Sequence, residues 1–159
     1  MAWVLLAIAI VVGASGLVVL VGSLLPRAHV VSRMALFNRP LEEIWQVIVD
    51  YAGQTSWREN LRSVERLPDR SGRQVWEETD RRGQSLMIET VESISPHRLV
   101  RRIANENLAF SGSWTYEIGL YGEVTSVTIT EDGEVYNRVF RFMNRFIIGQ
   151  TATLDAYLR

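Results

Sequence analysis

The sequence predicts an α+β fold: a curved antiparallel sheet of about seven strands around a long C-terminal helix, plus one N-terminal transmembrane helix. Three observations predict it. No charged side chain occurs from Met1 to Leu25. Residues 61–131 then adopt a period of two, broken by short turn signals. Residues 137–158 return to helical spacing.

The apolar stretch AWVLLAIAIVVGASGLVVLVGSLL is about 24 residues long, so as a helix it reaches about 36 Å, against a hydrocarbon core of about 30 Å. Pro26 disfavours continuation and Arg27 marks the exit. A cleaved signal peptide needs a basic leader, a shorter apolar core and small residues before the cut. The run is too long, no Arg precedes it, and LLPRAH is a poor cleavage site. A soluble buried helix is disfavoured because the run has no polar face. The expectation is a single-pass anchor over 1–26 and a folded domain over 27–159. Arg27, Arg33 and Arg39 follow the span and none precedes it. The positive-inside rule therefore puts the domain on the cytoplasmic side of the cell membrane.

After the anchor, HVVSRMALF reads as a first strand. In NRPLEEIWQVIVDYAG, Asn38 or Arg39 precedes Pro40 at a first turn, and Glu42 and Glu43 favour the helix dipole. Leu41, Ile44, Trp45, Ile48 and Val49 recur at helical spacing, and Gly53 can end the helix. Six strands follow, at about 61–67, 73–79, 84–93, 98–104, 111–121 and 124–131. PDRSG, DRRGQ, SPHR and LYGE punctuate them. Short links between consecutive strands imply an antiparallel meander. Only one long helix remains to cover the buried face of the sheet. A curved sheet around one helix leaves space for a ligand cavity.

The 159-residue length holds one domain with an appendage. With 47% apolar and 22% charged residues, the composition is that of a folded chain. A formal net charge of −1 argues against a nucleic-acid partner. Cysteine is absent, which removes disulfides, thiolate nucleophiles and Cys-based metal sites. All 17 basic residues are arginine, so Schiff-base lysines and a P-loop lysine are excluded.

The order strand, helix, six strands, long helix resembles the helix-grip fold of the START-like, or SRPBCC, superfamily. The matching segments are RPLEEIWQVIVDYAGQTSWRENLRSVE, FSGSWTYEI followed by TSVTITEDGEV, and FRFMNRFIIGQTATLDAYL. The last looks like the C-terminal helix of the polyketide cyclase/dehydrase-type branch. The resemblance covers roughly residues 28–159. It implies a hydrophobic or amphipathic guest, such as a lipid or isoprenoid, inside the cavity. It carries over no fixed catalytic residues.

Candidate ligand contacts come from three places. Val139, Met143, Phe146, Ile147, Leu154 and Tyr157 share one face of the last helix, with Arg138, Arg141 and Arg145 opposite. Gln150 falls within that apolar face, with Thr153 at its edge. A buried amide needs a partner, supplied either by the protein or by a guest or water. Trp114 and Tyr116 alternate with Thr115 and Glu117 on one strand, an arrangement that serves core packing or ligand contact. Trp57 lies where proteins of this fold often open their cavity, and serves there as packing anchor or gate. The expected ligand-binding residues are Trp57, Trp114, Tyr116, Met143, Phe146 and Gln150.

His29 and His97 read as surface residues too far apart to share a metal, so neither a metal nor a cofactor is expected. One of Glu77 and Glu78 must face inward if its strand keeps register. A buried carboxylate there suits acid–base work, while a solvated edge position is the plainer reading. Arg98, Arg101 and Arg102 read as a solvated strand face or as a partner for anionic head groups. The function expected is a membrane-anchored binding or carrier domain for a hydrophobic small molecule. A polyketide cyclase/dehydratase-like enzyme and a protein-interaction module with a collapsed cavity are the alternatives.

Overall fold

A computed structural model describes residues 1–148, 154, 157 and 158. Helix α1 runs Ala2–Leu24 and strand β1 runs Ala28–Phe37. Helix α2 spans Leu41–Val49 and leads into a 3₁₀ turn, Ala52–Ser56. The remaining strands are β2 Leu61–Arg70, β3 Arg73–Asp80, β4 Ser85–Ile94, β5 Arg98–Ile103, β6 Phe110–Tyr121 and β7 Val124–Val135. Helix α3 covers Arg138–Met143, followed by a π-helical turn, Asn144–Ile148.

The seven strands form one curved antiparallel sheet in the order β1-β7-β6-β5-β4-β3-β2. Five consecutive hairpins build β2 to β7, and β1 closes onto β7 from the other end of the chain. The β2–β3 hairpin turns on Ser71 and Gly72, with φ of 50° and 75°. Both central residues of a type I′ turn need positive φ, a conformation that glycine adopts at little cost.

Period two sorts the side chains as expected. Tyr116 and Ile118 on β6 point inward with Val127 and Ile129 on β7, while Glu117 is exposed. Helix α2 lays Leu41, Trp45 and Ile48 onto this face, joined by Leu99 and Leu154. Burying each large aliphatic side chain stabilises the fold by roughly 1.5–3 kcal/mol. Pro40 itself occupies the N-cap of α2 rather than its first turn.

Strand β7 continues to Val135, through the Asp-Gly pair that reads as a turn. Gly133 lies opposite both Gly112 and His29. A Cβ on Gly133 would stand 2.6 Å from the His29 ring. The glycine therefore admits an imidazole across the strand rather than reversing the chain.

Helix α1 is long and apolar enough to cross a membrane, and none of its most apolar window is buried within the protein. Its last turn packs against α3. A Cβ on Gly22 would fall 2.1 Å from the Arg138 carbonyl oxygen, so only glycine permits this approach. Arg141 is buried and donates from Nη1 to the Leu25 carbonyl, 2.7 Å away. Val139, Phe146 and Ile147 are exposed. Arg138 and Arg145 are exposed and Leu154 is buried, as expected, whereas Arg141 turns inward and Val139, Phe146 and Ile147 turn outward, against the expected orientation. The free carbonyls at the end of α1 attract a cation, and Arg141 supplies it.

Candidate ligand cavity

Between the concave sheet and the elements that cover it lies a cavity of about 500 Å³. Strands β3 to β7, the segment after the 3₁₀ turn, and Leu154 and Tyr157 contribute to its wall. Leu61, Leu86, Ile88, Leu108, Phe110 and Trp114 are among its apolar lining residues. A second and shallower groove of about 540 Å³ lies outside it, beside Trp45, Arg73 and Thr90.

Set into the apolar wall is a buried polar cluster. Glu78 shares a face of β3 with Trp76 and Asp80, and Arg101 shares a face of β5 with Leu99 and Ile103. Glu78 accepts from Arg101 Nη1 through Oε1 at 2.9 Å and from Arg58 Nη1 through Oε2 at 2.9 Å. Glu78 is 6% exposed and Arg101 3%, so this ion pair is shielded from water. Asp80 also lines the cavity, but its Oδ1 accepts from the Arg82 and Gln84 backbone amides in the β3–β4 turn.

Gln54 holds Arg58 in place. It is fully buried, donates from Nε2 to the Ile48 carbonyl at 3.1 Å, and accepts from Arg58 Nη1 at 2.8 Å. Arg58 also lies 5.4 Å from the Tyr157 ring centroid, and Arg101 lies 4.1 Å from that of Tyr51. Both are cation–π distances.

Among the described residues, Arg101 Nε and Nη2 meet no acceptor. Burial works against the charge on Arg101, yet Glu78 and then the neighbouring tyrosines outweigh it, and its pKa is raised. Burial also raises the phenol pKa of Tyr116, against the pull of Arg101 and Arg58. Tyr157 is pushed well above its ordinary value, by burial first and then by Tyr116. Both phenols are therefore protonated at neutral pH and able to donate hydrogen bonds.

A smaller network stands behind Trp114. Its indole Nε1 donates to Glu131 Oε2 at 3.0 Å, and His29 Nε2 lies 3.2 Å from Glu131 Oε1. His29 is thus drawn inward rather than left on the surface. Among the described residues, no three His, Asp or Glu side chains are placed to hold a metal ion.

The structure brings together two of the six expected contact residues, Trp114 and Tyr116, in the cavity wall. Trp57 stands outside the lining, edge-on to Tyr157 with ring centroids 5.1 Å apart. Met143 is half-buried in α3, and Phe146 is exposed beside Phe142. Gln150 and Thr153 lie outside the described residues. The buried amide that the structure displays is Gln54. Arg58, Glu78, Arg101 and Tyr157 complete the cluster. The parity of β5 marks Arg101, since Leu99 and Ile103 share its face, whereas Arg98 and Arg102 pair with Glu117 and Glu89.

Residues 28–156 match the sequence family described as polyketide cyclase/dehydrase and lipid transport. No curated protein matches the chain. Similar solved structures include the di-domain aromatase/cyclase BexL of the BE-7585A biosynthetic pathway, 12% identical with a TM-score of 0.62. That match covers 83% of this chain and 48% of BexL, so the chain spans about half the BexL length. The aromatase/cyclase ZhuI from Streptomyces sp. R1128 is 18% identical, with a TM-score of 0.62 over 82% of this chain and 92% of that one. Norcoclaurine synthase from Thalictrum flavum is 12% identical, with a TM-score of 0.60 over 81% and 83%. At these identities the likeness is one of fold.

Proposed function

The chain belongs to the polyketide cyclase/dehydrase and lipid transport family, and from that premise we propose that it binds a hydrophobic or amphipathic small molecule inside its cavity while tethered to a membrane. One observation carries the reading: the space of about 500 Å³ that the sheet and its covering elements leave, apolar over most of its wall. An apolar guest gains about 25 cal/mol for each Å² removed from water. The polar cluster orients it, as a few placed polar groups do in small-molecule sites.

The tether is residues 1–26 and the binding domain residues 27–159. Only three residues separate Leu24 from β1, so the domain stays close to the bilayer. The arginines after the span favour a cytoplasmic domain in the cell membrane. A guest then moves between lipid and cavity across little water.

A specific observation also favours a second reading, a cyclase/dehydratase-like enzyme. Glu78, two arginines and two protonated phenols converge on the cavity. Such groups can move protons and stabilise an enolate oxygen. The aromatase/cyclases among the fold neighbours make that reading concrete for a polyketide-like substrate.

The deciding experiment is mass spectrometry of the full chain purified from native membranes. A co-purifying apolar or amphipathic molecule is the expected result. An empty protein, with no thermal shift across a panel of lipids and aromatic ligands, would remove the binding reading. Protease protection in sealed vesicles tests the orientation, with cleavage from the cytoplasmic side expected.

A further inference from the structure

We propose that the guest is a monoanion with a carboxylate head, received by the free edge of Arg101. This deepens the binding function above and rests on it. Arg101 spends Nη1 on Glu78 at 2.9 Å. Its Nε and Nη2 are buried and have no acceptor among the described residues. These two nitrogens lie on one edge of the guanidinium, and their N–H groups run nearly parallel. That edge matches the two oxygens of a carboxylate.

Charge supports the same occupant. Arg58 and Arg101 carry two positive charges against the one of Glu78. The nearby phenols of Tyr116 and Tyr157 stay protonated, so they do not neutralise the surplus. Asp80 gives Oδ1 to backbone amides of its own turn rather than to the cluster. Among the described residues, one negative charge completes the balance. A neutral carbonyl would leave the surplus, and a phosphate monoester, with up to two charges, would exceed it. The tail of the acid would lie against Leu86, Ile88, Leu108 and Phe110.

The test compares acids with uncharged analogues of the same skeleton. Octanoate is set against 1-octanol, and 2-naphthoate against 2-naphthylmethanol. Each is titrated by calorimetry into the full chain in nonionic micelles near pH 7.5, with empty micelles as the blank. A charge-assisted bidentate contact should favour each acid by about tenfold or more. The double variant Arg101→Gln/Glu78→Gln, which leaves the net charge of the cluster unchanged and removes the two-nitrogen edge, should lose the acid preference, read as the ratio of acid to alcohol affinity within that variant. Equal binding of acid and alcohol by the unaltered chain overturns the carboxylate proposal and leaves the cavity function standing. If the double variant keeps the preference, Arg101 is not the receptor and the proposal fails. Binding of none of the four overturns both.

Discussion

Arg141 donates through Nη1 to the carbonyl of Leu25 across 2.7 Å, tying the C-terminal helix to the end of the apolar N-terminal one. A buried guanidinium holding a helix-end carbonyl satisfies an acceptor that has no partner in its own helix. The end of α1 and helix α3 are therefore held together.

Arg141→Ala should lower the stability of the full chain by about 1–3 kcal/mol, the usual cost of losing a charged hydrogen bond and leaving an acceptor unmet. Gly22→Leu should force α1 away from α3, because even a Cβ would approach the Arg138 carbonyl to 2.1 Å. The chain has no cysteine, so spin labels at Ser23→Cys and Val139→Cys report the separation directly. The distance distribution should shift outward in Gly22→Leu.

Glu78→Leu should cost about 3–5 kcal/mol, since it leaves two largely buried arginines facing each other with no counter-charge. Glu78→Gln should cost less, because the amide oxygen still accepts one hydrogen bond. Urea denaturation followed by near-UV circular dichroism measures both. Equal stability for Glu78→Leu and the unaltered chain would show that the pair bears no net load.

Alkaline stability follows from the two phenols. Their pKa values are raised in the folded state above the ordinary value near 10. Between the unfolded and folded pKa values the native state holds more protons than the unfolded one. Stability is then full below about pH 10 and falls as pH rises above it. Tyr157→Phe and Tyr116→Phe should flatten that decline. Unfolding free energies measured from pH 8 to 11 check the slope, and phenolate absorbance identifies the titrating groups.

Trp114→Phe should cost about 1–2 kcal/mol by removing the indole hydrogen bond to Glu131 while keeping a ring in the cavity wall. Guest affinity should change little. Trp114→Ala should weaken binding as well, because it takes away apolar contact area. Denaturation and ligand titration on the two variants separate these effects.

The strands were legible because one face of an antiparallel sheet is buried, and burial imposes a period of two. Tyr116, Ile118, Val127 and Ile129 obey it. The same parity marks Glu78 and Arg101, but charge argues for solvent until the opposing partner is known. That partner, Arg58, lies outside any periodic element and is fixed by Gln54 through contacts no local pattern encodes. The helical wheel misplaced Arg141 for a related reason. It orients a helix by contrast between sheet and water, whereas the neighbour of α3 is the end of α1.

The pairing of β1 with β7 has a consequence for assembly. Ser32 and Thr130, hydrogen-bonded neighbours across that ladder, are 98 positions apart. Strand β1 is translated long before β7, its ladder partner among the described residues. Closing so long a loop is entropically costly and belongs to the slow class of contacts. A nascent chain stopped before Val124 keeps a bare β edge just past α1, the surface on which neighbouring chains would aggregate.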